Sequence, residues 1–201
     1  MTTTGPAAAP APSPLLQGYL EQLAFIRRET AELTDGITDA QFGWRPGPGR
    51  WSPGQIVSHL NLAGGSYVER IALLLQDARA RGLRERGDFR PGLLGGMMVR
   101  SMEPTSRRRF KAPAIWQPAD DDGPRLDRAA ELARWHALHD ALEAQIRAAA
   151  GLDMRRIRLA SPVSRLIRMS VGDALALLLA HERRHLLQLR KVTEEAGYPK
   201  R

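Results

Sequence analysis

SVGDALALLLAHERRHLLQLRKVTEE, Ser170–Glu195, decides the fold. Ser170 followed three residues later by Asp173 is a helix-opening cap pattern, and Gly197 and Pro199 stop the helix beyond Glu195. Between them the inner stripe reads Val171, Ala174, Leu178, His181, His185, Gln188 and Val192, the three-and-four spacing of a helix that faces a core. Three consecutive positions of that stripe are polar. Buried polar groups cost a few kcal/mol when unpaired, so two adjacent seam histidines need a reason.

Working backwards, the same period recurs. Leu16, Tyr19, Leu20, Leu23, Ile26 and Leu33 mark a first helix over Leu15–Leu33, closed by Asp35-Gly36. Thr38 with Gln41 forms a capping box for a short turn before Trp44, and Arg45-Pro-Gly-Pro-Gly-Arg50 is a loop. Ser52-Pro53-Gly54-Gln55 opens a second long helix that runs to about Arg79, with Gly64-Gly65 allowing a close neighbour. A third carries Leu132, Trp135, Leu142 and Ile146 and ends near Gly151. The stretch from Arg81 to Pro124 is rich in Gly and Pro. Within it Leu93–Met102 reads as one buried helix, and Arg107–Pro118 as an extended piece packed over the bundle's end. A second loop centres on Ser161-Pro162. No stretch alternates with a strand period for more than about five residues. The expected fold is all-α, a four-helix bundle with irregular connections over residues 15–201, preceded by a flexible tail, Met1–Pro14.

Composition narrows the function. The 201 residues hold no cysteine, which excludes disulfides, sulfur-ligated metals and cysteine nucleophiles, and fits a cytoplasmic setting. The tail has no basic and apolar segments of a secretory signal. The longest apolar run, Ala174–Ala180, is seven residues, far short of a membrane span. A formal charge of +8 invites a nucleic-acid reading, with Arg clusters at Arg79–Arg90, Arg107–Lys111 and Arg155–Arg168. Yet aromatics make up only 5% of the chain and no nucleic-acid motif interleaves with the clusters, so a solvated Arg-rich surface is the expectation.

His181 and His185, one turn apart, project from one face about 6 Å apart along the axis, close enough to share one metal ion. His59 shares a stripe with Ile56, Ala63 and Ser66, small neighbours that leave room for an ion, and it is the candidate third ligand. Three neutral imidazoles leave coordination positions open, the pattern of a catalytic metal. Zinc, nickel and iron(II) all suit imidazole. His139, between Trp135 and Leu142, is a candidate fourth ligand or hydrogen-bond partner of the site, whereas His136 points to solvent. Gln188, one turn below His185, is placed to orient a ligand or a water. His181-Glu182-Arg183-Arg184-His185 also matches H-E-x-x-H, in which the glutamate is the base of a zinc peptidase. The paired arginines suggest a water-facing flank, Glu182 turns about 100° from the seam, no H-x-x-G-x-x-H extension follows and nothing upstream reads as the sheet such peptidases use, so that reading is set aside.

Arg50-Trp-Ser-Pro-Gly-Gln-Ile-Val-Ser-His-Leu60, the H-x-x-x-H-x-x-Q segment ending at Gln188, and Arg109-Phe-Lys-Ala-Pro113 followed by Pro118 together resemble the DinB-like (YfiT-like) family of metal-dependent proteins, over roughly Leu15–Pro199. The resemblance implies an up-down-down-up bundle with a metal held by His59, His181 and His185. It also implies a small-molecule substrate and a homodimer. Relatives include hydrolase-labelled proteins and transferases that use low-molecular-weight thiols. With no cysteine in the chain, any such thiol comes from outside. The ion's role is either to acidify water for hydrolysis or to deliver a thiolate to an electrophile. A non-catalytic binding or stress-response protein, or a basic nucleic-acid binder, is the alternative.

Overall fold

The computed structural model describes residues 10–108, 110–118 and 126–200. Its helices are α1 (Pro14–Thr34), α2 (Asp39–Gly43), α3 (Pro53–Ala80), α4 (Leu93–Met102), α5 (Arg128–Ala148) and α6 (Val171–Thr193). A single 3-10 turn occupies Ala114–Trp116. Most of the Met1–Pro14 segment, Arg109, and the 119–125 stretch lie outside the described residues. Ser13 is already the cap of α1, and Pro10 lies against Gly151, where a Cβ would meet its ring at 2.8 Å.

Pairs of touching residues fix the directions of the four long helices. Along α3 and α5, Asn61 meets Glu131, Gly64 meets Leu138 and Arg79 meets Ala148, so these two run parallel. Gln22 with Arg183 and Glu29 with Arg190 make α1 and α6 parallel. His59 lies against His181 and His185 while Ile56 packs with Leu189 and Val192, so α3 opposes α6. The topology is therefore an up-down-down-up bundle, all-α apart from one small hairpin. Gly64 is where α3 and α5 come closest: a Cβ there would sit 2.6 Å from Leu138.

The sequence periods predict the long helices to within two or three residues, because their caps are explicit. Thr38 and Ser52 both form full capping boxes with Gln41 and Gln55. Two expectations are corrected. The second loop contains an antiparallel hairpin, β1 (Arg158–Ala160) with β2 (Arg168–Ser170), which tucks Leu159 and Met169 into the core. Three residues per strand are too few to register as a period. And α4 forms where expected but is only half-buried: Leu93, Leu94 and Met97 are exposed, Met98, Val99 and Met102 pack partly buried against the core, and Gly95 and Gly96 are fully covered.

What holds α4 is a carboxylate. Ser170 Oγ accepts from the Asp173 amide at 3.0 Å and caps α6, while it donates to Asp173 Oδ2 at 2.7 Å. Asp173 Oδ1 in turn accepts from the Gly92 amide at 3.1 Å, so one side chain in the first turn of α6 also caps α4. This docking needs a bare backbone at Gly95, where a Cβ would come within 2.2 Å of Asp173 Cγ. Replacing a mid-helix glycine by alanine ordinarily stabilises by about 1 kcal/mol. Gly95→Ala is expected to do the opposite, lowering stability by about 1–3 kcal/mol in urea unfolding, as overpacking does. A gain in stability would show that the Asp173 clamp is loose.

Candidate metal centre

His59 comes from the first turns of α3, and His181 and His185 from the middle of α6. The antiparallel crossing of the two helices brings all three to one point. His181 Nε2 lies 3.2 Å from His59 Nε2 and 3.1 Å from His185 Nε2. One ligand atom from each of the three can be chosen so that all lie within 4.8 Å of one another. An ion bonded at about 2.0–2.1 Å to tetrahedrally arranged nitrogens holds them about 3.3 Å apart, so the spacing fits.

The outer nitrogens decide which way the lone pairs face. His59 Nδ1 is 2.7 Å from the carbonyl oxygen of Trp116, and His185 Nδ1 is 2.9 Å from Gln188 Oε1. Both partners are acceptors, so both Nδ1 atoms carry the proton and both Nε2 atoms present lone pairs. His181 Nε2 has at most one hydrogen to donate between them. At least one of the two short contacts is therefore lone pair against lone pair, an arrangement a cation relieves. Trp51 covers the cluster, its ring centroid 4.8 Å from that of His59 and 6.1 Å from that of His185.

Burial keeps the imidazoles neutral. His181 is pushed down to about 4, by loss of hydration first and by proximity to His59 next. His185 is held well below the usual range by burial, with His181 and His59 adding to it. His59 is lowered by burial, partly offset by its bond to the Trp116 carbonyl. Neutral imidazole is the form that binds metal.

The cluster joins the three histidines expected of it and leaves out the other two. His136 is exposed. His139 is fully buried on α5, its ring 3.8 Å from that of Trp135, and its Nε2 is 3.2 Å from Glu182 Oε2. It thus faces the residue next to His181 without a hydrogen bond to it, and is not a member of the cluster. Gln188 orients His185, one of the two roles its position suggested. The expectation of a water-facing arginine flank is corrected. Glu182 is only 4% exposed, and Arg183 and Arg184 are half-buried tethers. Arg183 bonds Gln22 on α1 and reaches Glu103 at 2.6 Å, just past α4. The flank is packed because α1 and α4 both lean on it. The peptidase reading still fails locally, since the Glu182 carboxylate is turned to His139. Sequence reasoning missed the Trp116 carbonyl and the Trp51 cover. A main-chain acceptor in an irregular segment leaves no trace in residue type, whereas Trp51, beside the cap of α3, was available to be read.

The family model described as the DinB superfamily matches residues 22–189. No curated protein and no solved structure matches the chain.

Two measurements follow from the geometry. Unfolded histidines titrate near 6.5, whereas in the folded chain His181 is pushed down to about 4 and His185 well below its usual range, so between those values the unfolded chain binds more protons. The metal-free protein is therefore expected to lose stability as pH falls from about 6.5 to 5, by about 2 kcal/mol from His181 alone, in a window where carboxylates stay ionised. His181→Ala should flatten that slope; an unchanged slope contradicts the neutral cluster. Gln188→Ala, which frees His185 Nδ1, should weaken zinc binding about 10- to 100-fold in competitive titration. Unaltered affinity would mean that Gln188 does not orient the ring.

Proposed function

Because the chain belongs to the DinB superfamily and gathers three imidazoles at one point, we propose that it is a divalent-metal-dependent enzyme acting on a small molecule. The observation that carries this reading is the pair of fixed tautomers. Trp116 and Gln188 aim the His59 and His185 lone pairs at the same place as His181 Nε2. His59, His181 and His185 would hold the ion, and zinc, nickel or iron(II) suits them. A divalent ion there supplies Lewis acidity that makes a ligand water or thiol acidic near neutral pH.

The chain's own residues bind and orient. Trp51 shields one side of the cluster from water, and the Trp116 segment closes over His59. The buried carboxylate of Glu182, next to His181 in sequence, faces His139, and among the described residues no carboxylate joins the three histidines in their cluster. That favours a nucleophile needing little help to ionise. A free thiol, with a pKa near 8.5, needs far less than water. Transfer of an external low-molecular-weight thiol is accordingly preferred to hydrolysis, and the absence of cysteine from the chain requires the thiol to come from outside. A cytoplasmic homodimer completes the reading. The missing cysteines support the compartment, and no helix among the described residues is long and apolar enough to cross a membrane.

Metal analysis of the purified protein tests the premise. About one ion per chain is expected in the wild type and almost none in His181→Ala, with the helical content of the two unchanged. Full metal content in His181→Ala would remove the three-histidine site. A conjugation screen with small thiols and electrophiles that stays blank with zinc, nickel and iron would remove the transferase.

A further inference from the structure

Most cations that pack against the bundle are neutralised. Arg183 reaches Glu103, Arg190 reaches Glu29, Arg27 reaches Asp140 and Arg134 reaches Glu131, all within 2.7 Å. Arg184 is different. It stands on α6 between the two histidines and is half-buried. Its Nη1 donates to the Ser101 carbonyl at 3.3 Å and its Nη2 to the Arg108 carbonyl at 2.5 Å. Among the described residues no carboxylate pairs with it. Two of five N–H donors are used on neutral acceptors, and none of its nitrogens is buried without a partner, so the rest of the fork faces outward. Three residues after His181 and one before His185, Arg184 leaves α6 from the flank beside the cluster.

The surroundings reinforce the sign. The segment that Arg184 grips continues through Arg107, Arg108 and Lys111, all exposed cations with no acid among them, to Trp116, whose carbonyl holds His59. Among the described residues, Glu103 at the end of α4 is already paired with Arg183. A permanently charged, half-desolvated guanidinium with no carboxylate partner among the described residues, on the helix that carries two of the three histidines, attracts an anion, and its planar fork matches an oxyanion.

We propose that Arg184 is a specificity-determining residue, making the site select a small substrate that carries a carboxylate-like oxyanion beside the atom that meets the metal. The proposal rests on the metal-dependent reading above.

The test uses the full chain loaded with cobalt(II) and two thiols of similar size, anionic 3-mercaptopropionate and neutral 2-mercaptoethanol. Binding is followed by thiolate-to-cobalt charge-transfer absorption. The ratio of the two dissociation constants should shift by about tenfold against the anionic thiol in Arg184→Gln, relative to wild type and to Arg184→Lys. A merely structural tether would weaken both thiols together and leave the ratio unmoved. An unchanged ratio in Arg184→Gln, with both thiols still binding, overturns the anion-reading role while the metal site stands. Failure of cobalt to bind the wild type at His59, His181 and His185 overturns the metal reading, and this proposal with it.

Discussion

Three imidazole nitrogens face one another across little more than 3 Å, and the rest of the molecule is arranged to make that possible. Left to themselves, neutral rings with converging lone pairs would rotate apart or take up protons. Neither escape is open here. Rotation of His59 would break its bond to the Trp116 carbonyl, and rotation of His185 would break its bond to Gln188. Protonation is opposed by burial and, after a first proton, by the neighbouring rings. Each bond is worth only about 1 kcal/mol, so it is packing that makes the constraint stick.

The packing shows how a polar seam is tolerated. The apolar core is split in two. A large cluster runs from Leu16 and Leu23 through Ile71, Trp135 and Leu175, and a small one holds Ile56, Leu189 and Val192 under Trp44 and Trp51. Along α6 the histidines fall between Leu178 of the first and Leu189 of the second. Apolar layers thus clamp α3 to α6 above and below the cluster, fixing the helix spacing there. Behind it, His139 and Glu182 occupy the α5 side at full burial. Their nearest atoms stand 3.2 Å apart without a hydrogen bond, and His139 Nδ1, His139 Nε2 and Glu182 Oε2 are buried with no hydrogen-bond partner among the described residues. Buried polar atoms left in this way cost stability.

How much of this was legible in the sequence follows from the kind of information each part uses. The four long helices are written in apolar spacing and in side-chain caps such as Ser52 with Gln55, which are local. The triad was legible because two histidines on a seam one turn apart violate the hydrophobic pattern, and a third histidine beside Ala63 makes the same violation elsewhere. The β1–β2 hairpin left no readable period in three residues per strand. The apolar residues of α4 promised burial that the structure gives only in part, because the composition of so short a helix does not say which neighbour is available. The packed arginine flank was misread for a related reason: charge predicts solvent until a partner such as Glu103, distant in sequence, is placed beside it.

The two kinds of structure around the cluster divide its work. Histidines on α3 and α6 stand on rigid, antiparallel helices, where their positions vary little and a metal-binding geometry can be kept. What closes over His59 comes from the segment between α4 and α5, through the Trp116 carbonyl. Over its described residues that segment is held by a few hydrogen bonds, one 3-10 turn and the packing of Trp116 against Tyr67 and the core. The three imidazoles belong to the helices, and the carbonyl that orients His59 belongs to the connection. Arg184 is the residue that joins them, because it sits on the ligand-bearing helix and holds the connection in place.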